Sequence, residues 1–354
     1  MSANKRIEHI DVWRFLAVIL VIQEHFWLFS GIDRDFPQIE TYSLQIERFG
    51  EMGVLIFFSI SGFVICNGLN SEQKTTGNIC LSAFCARRFF RIVPPMWLYL
   101  VTLFALNAVD IIKISGEQLL TSAAFLCNLP LSKGCSWYAG HTWSLAYEEQ
   151  FYLLFPLLFI WAWRGERNWR LVGAMALLIG VALALLYRGQ IFWSEYCTYF
   201  LFLLTGCLSA LLPFHWMKRL RNLSLLEWLA ATLLLASLLA FLPNKQDAVF
   251  KILLYPLLVQ LIVFGTPTHF PTIKRFFHHP HLSYLGRISY CVYLWQELAT
   301  AYYTGVQWWH TLIYLALVFG FSALSFTYFE QPLLRVGAAL STKLKARANA
   351  LPPA

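Results

Sequence analysis

The first residues that could do chemistry lie inside an apolar stretch, IDVWRFLAVILVIQEHFWLF, where Glu24 and His25 stand side by side. Arg14 precedes His25 by eleven residues, or about 16 Å along a helix. If the stretch crosses a membrane, Arg14 lies near one interface and His25 at or beyond the middle of the hydrocarbon layer. Ionisable groups at that depth are costly and mark functional sites by default. A neutral imidazole there can accept an acyl group or a proton; the structural alternative is a histidine hydrogen-bonded to a neighbouring helix.

A second group of ionisable residues opens a later apolar stretch, GHTWSLAYEEQFYLLFP. Glu148 follows His141 by seven residues, so the two can share a helical face, and Glu149 is adjacent. Glu297 falls within a further apolar stretch. Carboxylates are favourable at a helix N-terminus, but one carboxylate suffices for that role. The second member of the Glu148–Glu149 pair therefore needs another explanation. Together with His25, these groups suffice for proton transfer to or from a polar substrate.

Arginines concentrate in FCARRFFRIVPP, where Arg87, Arg88 and Arg91 precede two prolines. Arg87 and Arg91 are four residues apart and share one helical face. The planar guanidinium matches phosphate oxygens, so the stretch could clamp a phosphate-bearing substrate. The alternative is anchoring of the chain by positive charge on one side of a membrane, and spacing alone leaves both interpretations open.

The stretch FFSISGFVI contains Ser59, Ser61 and Gly62. It lacks the G-x-S-x-G pattern of a nucleophile elbow, which also needs a strand-turn-helix context. Small residues at this spacing favour close packing of helices instead.

Composition defines the elements that must position these groups. Of 354 residues, 58% are apolar or aromatic and only 13% are charged, against about 25% charged in an average soluble domain. This composition excludes a cytosolic enzyme, a disordered protein and a nucleic-acid-binding module. Eight cysteines without a C-x-x-C pair argue against a zinc cluster. Cys127 and Cys135 fall in one predicted outer loop, and spacing leaves open whether they form a disulfide.

Ten segments approach the roughly 20 apolar residues that a spanning helix needs. They are 12–29, 52–68, 95–114, 144–163, 171–187, 195–213, 224–242, 250–266, 283–301 and 309–329. With the N-terminus in the cytoplasm, 20 of the 27 Lys and Arg residues fall on the inner side. The positive-inside rule therefore predicts cytoplasmic N- and C-termini, and it explains the net charge of +8 as a topology signal.

Several motifs occur together and in order: HIDVWRF with Arg14 and His25, GVLIFFSISGFVI, FCARRFFRIVPPMW, HTWSLAYEEQFYLLFP, LGRISYCVYLWQ and YFEQPLLR. Over about residues 8–335 the chain resembles the membrane-bound acyltransferase family 3. The resemblance implies an all-α, polytopic integral-membrane protein with about ten transmembrane helices. Residues 1–354 would form a single acyltransferase domain, with 336–354 as a cytoplasmic basic tail.

The resemblance also implies the chemistry and its residues. Family members transfer acyl groups, most often acetyl from acetyl-CoA, to hydroxyls of cell-envelope carbohydrates. By position, Arg14 and His25 look like the essential pair, Glu148 like the conserved carboxylate, and the three arginines of FCARRFFRIVPP like the basic stretch near the donor. Gln296 departs from the pattern, because many relatives carry His there. Some relatives append a periplasmic esterase-like domain, and this chain is expected to complete the transfer without one, either by itself or with a separate partner.

The sequence therefore predicts an O-acyltransferase of the bacterial inner membrane that uses cytoplasmic acyl-CoA. Its acceptor would be an O-antigen, an exopolysaccharide or a lipid-linked glycan, and its other partner membrane lipid, with no metal and no nucleic acid. His25 would be either the nucleophile that carries the acyl group or the general base for the sugar hydroxyl. The alternative is a proton-coupled transporter or exporter, in which the membrane His and Glu residues form a proton relay. No inverted repeat in the sequence supports that alternative.

Overall fold

The computed structural model describes residues 8–32, 35–130, 135–162, 169–301 and 307–350, and within these ranges every regular element is helical. The helices are α1 (Glu8–Phe29), α2 (Ser43–Thr76), α3 (Leu81–Ala108), α4 (Gly116–Ala123), α5 (Trp137–Gly140), α6 (Thr142–Ala162), α7 (Trp169–Tyr187), α8 (Ile191–Leu211), α9 (Phe214–Arg221), α10 (Leu225–Phe241), α11 (Asn244–Leu253), α12 (Tyr255–Phe264), α13 (Pro271–Phe277), α14 (Pro280–Thr300), α15 (Trp308–Ser325) and α16 (Gln331–Ala350). A 3-10 turn, Pro37–Tyr42, precedes α2, and a π-helical segment, Phe326–Glu330, joins α15 to α16.

Among the described residues, six helical segments are long and apolar enough to cross a membrane, and the number rises to eight if each of two bent helix pairs forms one span. The six are His9–Phe29, Pro37–Thr76, Leu81–Ala108, Arg170–Tyr187, Ile191–Leu211 and Trp308–Ala348. The bent pairs are α9 with α10, at 79°, and α11 with α12, at 51°. The prediction of an all-α polytopic membrane protein is confirmed.

The other two predicted spans fall on α6 and α14, which have 21 residues each. That length gives about 30 Å of helix, enough to cross the hydrocarbon layer. Both helices carry adjacent polar residues, however, and neither passes the criterion of length and apolarity that the other segments meet. The count of ten stays a prediction. Six cations counted for the orientation lie outside the described residues, as do residues 351–354 of the predicted tail: Lys5, Arg6, Arg34, Lys133, Arg164 and Arg167.

The chain divides into two compact units. The first comprises Met1–Glu24, Gln38–Lys74 and Leu157–Ser289, and the second comprises His25–Pro37, Thr75–Pro156 and Tyr290–Ala354. The prediction of a single domain over 1–354 stays a prediction, and the two units are described separately.

Close helix packing in the first unit explains the small residues of FFSISGFVI. A β-carbon on Gly62 of α2 would lie 1.9 Å from the carbonyl oxygen of Leu203 in α8. In return, a β-carbon on Gly206 of α8 would lie 2.1 Å from the carbonyl oxygen of Ser59. Only glycine lets the two backbones approach this closely, so the packing interpretation of this stretch is confirmed.

The first unit also contains a network of charged side chains, here called the ionic network. Lys251 donates to both carboxylate oxygens of Glu51, at 2.9 and 2.7 Å, and the Tyr199 hydroxyl donates to Glu51 at 2.8 Å. Arg48 lies 3.5 Å from Asp247 and also donates to backbone carbonyls at the end of α10. These contacts balance the charges next to the bend between α11 and α12.

In the second unit, α16 packs along α3. A β-carbon on Gly337 would lie 2.9 Å from the Phe90 side chain, and Arg87 donates a hydrogen bond to the Ser341 hydroxyl. The segment predicted as a basic tail is therefore, up to Ala350, part of a helix packed on the arginine-rich part of α3. Its small residues allow this close contact, whereas its charges had indicated only a solvated end.

A disulfide between Cys127 and Cys135 lies before α6 in the second unit. Residues 131–134 of its loop fall outside the described part of the chain. Asn128 and Gln150 exchange two side-chain hydrogen bonds of 2.9 Å, which tie the loop to α6. These bonds fix Asn128 to the helix that begins directly after His141.

Candidate active site

His25 lies near the end of α1, in the part of that helix that belongs to the second unit. Its Nδ1 is 2.9 Å from the side-chain oxygen of Gln296, which is fully buried on α14. Because an amide oxygen only accepts, the imidazole donates from Nδ1 and its Nε2 keeps the lone pair. The ring centroid lies 5.5 Å from that of Trp137 and 5.9 Å from that of Phe29. His25 is thus held in one orientation by the Gln296 amide and the neighbouring rings.

His141 and Glu297 form a buried histidine–carboxylate pair, and each residue is 3% exposed. The Nδ1 of His141 lies 2.5 Å from one oxygen of Glu297, and the backbone N–H of His141 donates to the other at 3.1 Å. The carboxylate therefore holds both the ring and the backbone of His141. Glu297 follows Gln296 directly, so successive residues of α14 each hold one histidine.

Local structure explains how His141 reaches this position. The short helix α5 ends at Gly140, His141 is the residue that caps it, and α6 begins at the next residue, Thr142. The Tyr293 hydroxyl donates to the His141 carbonyl at 3.0 Å and is 2.8 Å from the Ser144 hydroxyl. Tyr293, Gln296 and Glu297 are three and four residues apart, so they share one face of α14.

Aromatic rings surround the His141 imidazole. The ring centroids of Tyr99 and Tyr293 lie 5.5 and 5.3 Å from it, both edge to face. The Tyr99 hydroxyl donates to the backbone carbonyl of Tyr138. Burial raises the pKa of the Tyr138 hydroxyl, so this phenol stays neutral. Glu297 is the carboxylate that contacts the His141 imidazole.

Four polar atoms at this site are buried and have no hydrogen-bond partner among the residues that the structure describes. They are the Nε2 atoms of His141 and Gln296, the indole nitrogen of Trp137 and the hydroxyl of Ser136. A buried polar atom left unpaired costs about 1–3 kcal/mol. Such atoms close to His25 point to a site that a polar ligand completes. We refer to His25, Gln296, His141, Glu297 and Trp137 as the histidine group.

The arginine stretch forms a second polar cluster in the same unit. The Arg88 guanidinium lies 5.7 Å from the ring centroid of Phe84 and 5.4 Å from that of Tyr152. The Tyr152 hydroxyl donates to Glu148 at 2.8 Å, and the Glu148 carboxylate is close enough to act on the Arg88 charge. Arg91 is half-buried one turn further along α3. We refer to Arg87, Arg88, Arg91, Tyr152 and Glu148 as the arginine group.

The two groups lie at different levels of the same helices. On α3, Arg88 belongs to the arginine group and Tyr99 contacts the histidine group, and eleven residues separate them by about 16 Å. Tyr290 of α14 donates to the carbonyl of Ile92 at 2.8 Å, whereas Gln296 two turns later holds His25. An arginine-rich level and a histidine level are thus built on one scaffold.

The site residues expected from the sequence are distributed unevenly. The structure brings His25 together with Glu297 and His141, and it places Glu148 near Arg88. The catalytic role of Glu148 stays a prediction. Glu24 belongs to the first unit and packs over Gly50, where a β-carbon would come within 1.9 Å of its carboxylate oxygen. Arg14 is half-buried on α1 in the first unit, and its catalytic role stays a prediction.

Sequence reasoning missed the roles of Gln296 and Trp137. Gln296 was noted only as a departure from the family pattern, because nothing local shows that it contacts a residue 271 positions away. Trp137 lies within the predicted outer loop and gives no periodic pattern. The available signal was the pair of adjacent polar residues, Gln296 and Glu297, within an apolar helix.

Comparison with known families agrees with these features. The acyltransferase 3 profile, described as an acyltransferase domain, matches residues 7–329. The class defined by fold and site is thus an integral-membrane acyltransferase. More particularly, the chain belongs to the acyltransferase 3 family, which favours the enzyme prediction over the transporter.

Two relatives are O-acetyltransferases by name. The peptidoglycan O-acetyltransferase OatA of Listeria monocytogenes is 25% identical over 377 residues, covering 95% of this chain and 57% of that protein. The O-acetyltransferase OatA of Staphylococcus aureus is 28% identical over 172 residues, covering 45% of this chain and 25% of that protein. The chain thus spans little more than half of the first relative and a quarter of the second. No solved structure matches the chain significantly.

Proposed function

We propose that the protein is an O-acetyltransferase of the bacterial inner membrane. It moves an acetyl group from cytoplasmic acetyl-CoA to a hydroxyl of a cell-envelope carbohydrate. The observation that carries the proposal is His25, oriented by Gln296 so that Nε2 keeps its lone pair beside buried polar atoms without partners. Such an imidazole can take an acyl group from a thioester.

The arginine group supports a CoA donor. Arg87, Arg88 and Arg91 offer guanidinium groups that suit phosphate oxygens. The flexible pantetheine arm of CoA carries the thioester well away from the phosphates, and the separation of about 16 Å along α3 gives it room. In this arrangement the phosphates lie at the arginine group and the thioester reaches His25.

Glu148 acts in this proposal as a positioning residue. It accepts a hydrogen bond from Tyr152, whose ring faces Arg88. The carboxylate thereby balances the buried guanidinium and keeps Arg88 in place for the donor. Arg14 is retained in this proposal as a catalytic residue because of its position in the family motif.

The acceptor follows from chemistry and from the relatives. The Listeria relative is named for peptidoglycan O-acetylation. Hydroxyl groups of an O-antigen, an exopolysaccharide or a lipid-linked glycan present the same nucleophile to an acyl group at His25. Trp137 beside His25 offers an apolar face and an indole N–H, a combination that suits a sugar ring.

Purified protein in lipid nanodiscs, supplied with acetyl-CoA labelled in the acetyl group, tests the function. We expect release of CoA and appearance of label in extracted cell-envelope glycan. Mass spectrometry of surface glycans from cells with and without the gene should show loss of an acetyl mass. Movement of a solute or of protons without CoA release would contradict the proposal and favour a transporter.

A further inference from the structure

We propose that His141 is a second catalytic histidine and that Glu297 is its positioning residue. In this scheme, which rests on the proposed function, His25 carries the acetyl group and His141 removes the proton from the acceptor hydroxyl. The division of roles follows from the different partners that the two histidines have on α14.

The partner of His25 is neutral, whereas the partner of His141 is a carboxylate. The Gln296 amide fixes the His25 ring without adding charge. Glu297 lies 2.5 Å from His141 Nδ1, and a carboxylate in that position stabilises the imidazolium that forms when Nε2 takes a proton. A neutral, oriented imidazole suits a nucleophile, and a carboxylate-bound imidazole suits a base.

The surroundings of His141 support this role. Tyr99 and Tyr293 face the ring with their edges, and His25 is the other histidine whose charge interacts with it. Glu297 is the carboxylate that contacts the His141 ring. The Nε2 of His141 is buried without a hydrogen-bond partner in the described part of the chain, as a base awaiting a substrate hydroxyl would be.

The chemical step balances in two halves. The Nε2 of His25 attacks the thioester carbon, the carbon–sulfur bond breaks, and CoA leaves as the thiolate. The acceptor oxygen then attacks the acetyl carbon on His25, the carbon–nitrogen bond breaks, and the hydroxyl proton passes to Nε2 of His141. The imidazolium returns this proton to water, which balances the proton that the CoA thiolate takes up.

The test separates the two halves in nanodiscs with labelled acetyl-CoA. His141→Gln should release one equivalent of CoA and form labelled enzyme as the wild type does, but transfer to extracted glycan should slow at least about 100-fold. Hydroxylamine, which is nucleophilic without a base, should discharge the labelled enzyme at the wild-type rate. Glu297→Gln, which keeps an oxygen acceptor but loses the charge, should slow transfer less and leave the first half unchanged.

Matched controls are His279→Gln and Glu40→Gln, at exposed positions outside the site, and His25→Gln should lose both halves. Wild-type transfer by His141→Gln would overturn the proposal, and so would loss of enzyme labelling in a folded His141→Gln protein. Transfer by the wild type without any labelled enzyme would also overturn it. If His141→Gln does not fold, Glu297→Gln carries the same test. Absence of CoA release by the wild type would instead contradict the proposed function, and this inference with it.

Discussion

The ionic network of the first unit and the histidine group of the second both contain buried charged or ionisable residues, but they differ in how their atoms are paired. In the ionic network, Lys251 has two contacts to Glu51, and Arg48 contacts Asp247 and backbone carbonyls. In the histidine group, the Nε2 atoms of His141 and Gln296 are buried and have no hydrogen-bond partner among the described residues.

Burial of charge alone therefore does not mark a catalytic site. A network whose members satisfy one another holds helices together, and removal of one partner leaves an uncompensated charge. A group that keeps unpaired atoms pays for them in stability and gains a place for a ligand. The first kind of cluster should respond to mutation in stability, and the second kind in turnover.

Replacement of His25 should have the largest effect. We expect His25→Gln and His25→Ala to lower the rate of glycan acetylation by about 100- to 10,000-fold. Both variants should still insert into the membrane and bind acetyl-CoA. Glycan acetylation at matched protein level in the membrane measures this. Wild-type acetylation by His25→Gln would mean that His25 has only a structural role. The histidine group would then not differ from the ionic network in its effect on turnover.

Alanine at Arg87, Arg88 or Arg91 should act on the donor. Loss of a charged hydrogen bond of about 1.5–3 kcal/mol raises the KM for acetyl-CoA about 10- to 150-fold. Steady-state kinetics with acetyl-CoA varied is the measurement, and Arg275→Ala, at an exposed position, is the control. Unchanged kinetics in all three variants would leave these arginines only a role in topology.

Gln296→Leu should lower kcat by about tenfold, because His25 loses the acceptor that orients Nδ1 and a hydrogen bond is worth about 1 kcal/mol or somewhat more. Gln296→His, the residue of many relatives, should keep most of the activity because a ring nitrogen can accept the same bond. Rates under saturating acetyl-CoA separate this effect from donor binding. Equal loss in both variants would mean that the amide itself is needed.

Lys251→Met should leave turnover unchanged and lower stability. Removal of one partner from the pair, which is 11% and 22% exposed, should reduce the free energy of unfolding by about 3 kcal/mol. The double variant with Glu51→Gln should lose less than the single one, because no unpaired charge remains. Thermal unfolding in detergent and kcat per folded molecule test this. A large fall in kcat with normal stability would instead mean that the ionic network is needed for activity.

Much of the fold could be predicted because apolar stretches and loop charges report spans directly. The sequence also indicated His25 and the arginine stretch as candidate site residues, because ionisable groups in apolar surroundings are conspicuous, and their roles stay predictions. The partner of each residue could not be predicted. The spacing predicts that Glu148 and His141 share a helical face, but α6 begins only at Thr142. Tertiary packing decides which side chain Glu148 meets, and that neighbour is Arg88. The helix at 331–350 was missed because its charges resemble a tail, whereas Gly337 and Ser341 allow it to pack on α3.

The most direct measurement is a single turnover of nanodisc-embedded wild-type protein with isotope-labelled acetyl-CoA and no acceptor, followed by peptide mapping of the label. We expect label on the peptide that contains His25. Addition of glycan should remove this label as labelled acetylated glycan appears. Label on a different residue, or acetylated glycan formed by protein that never carries label, would contradict it.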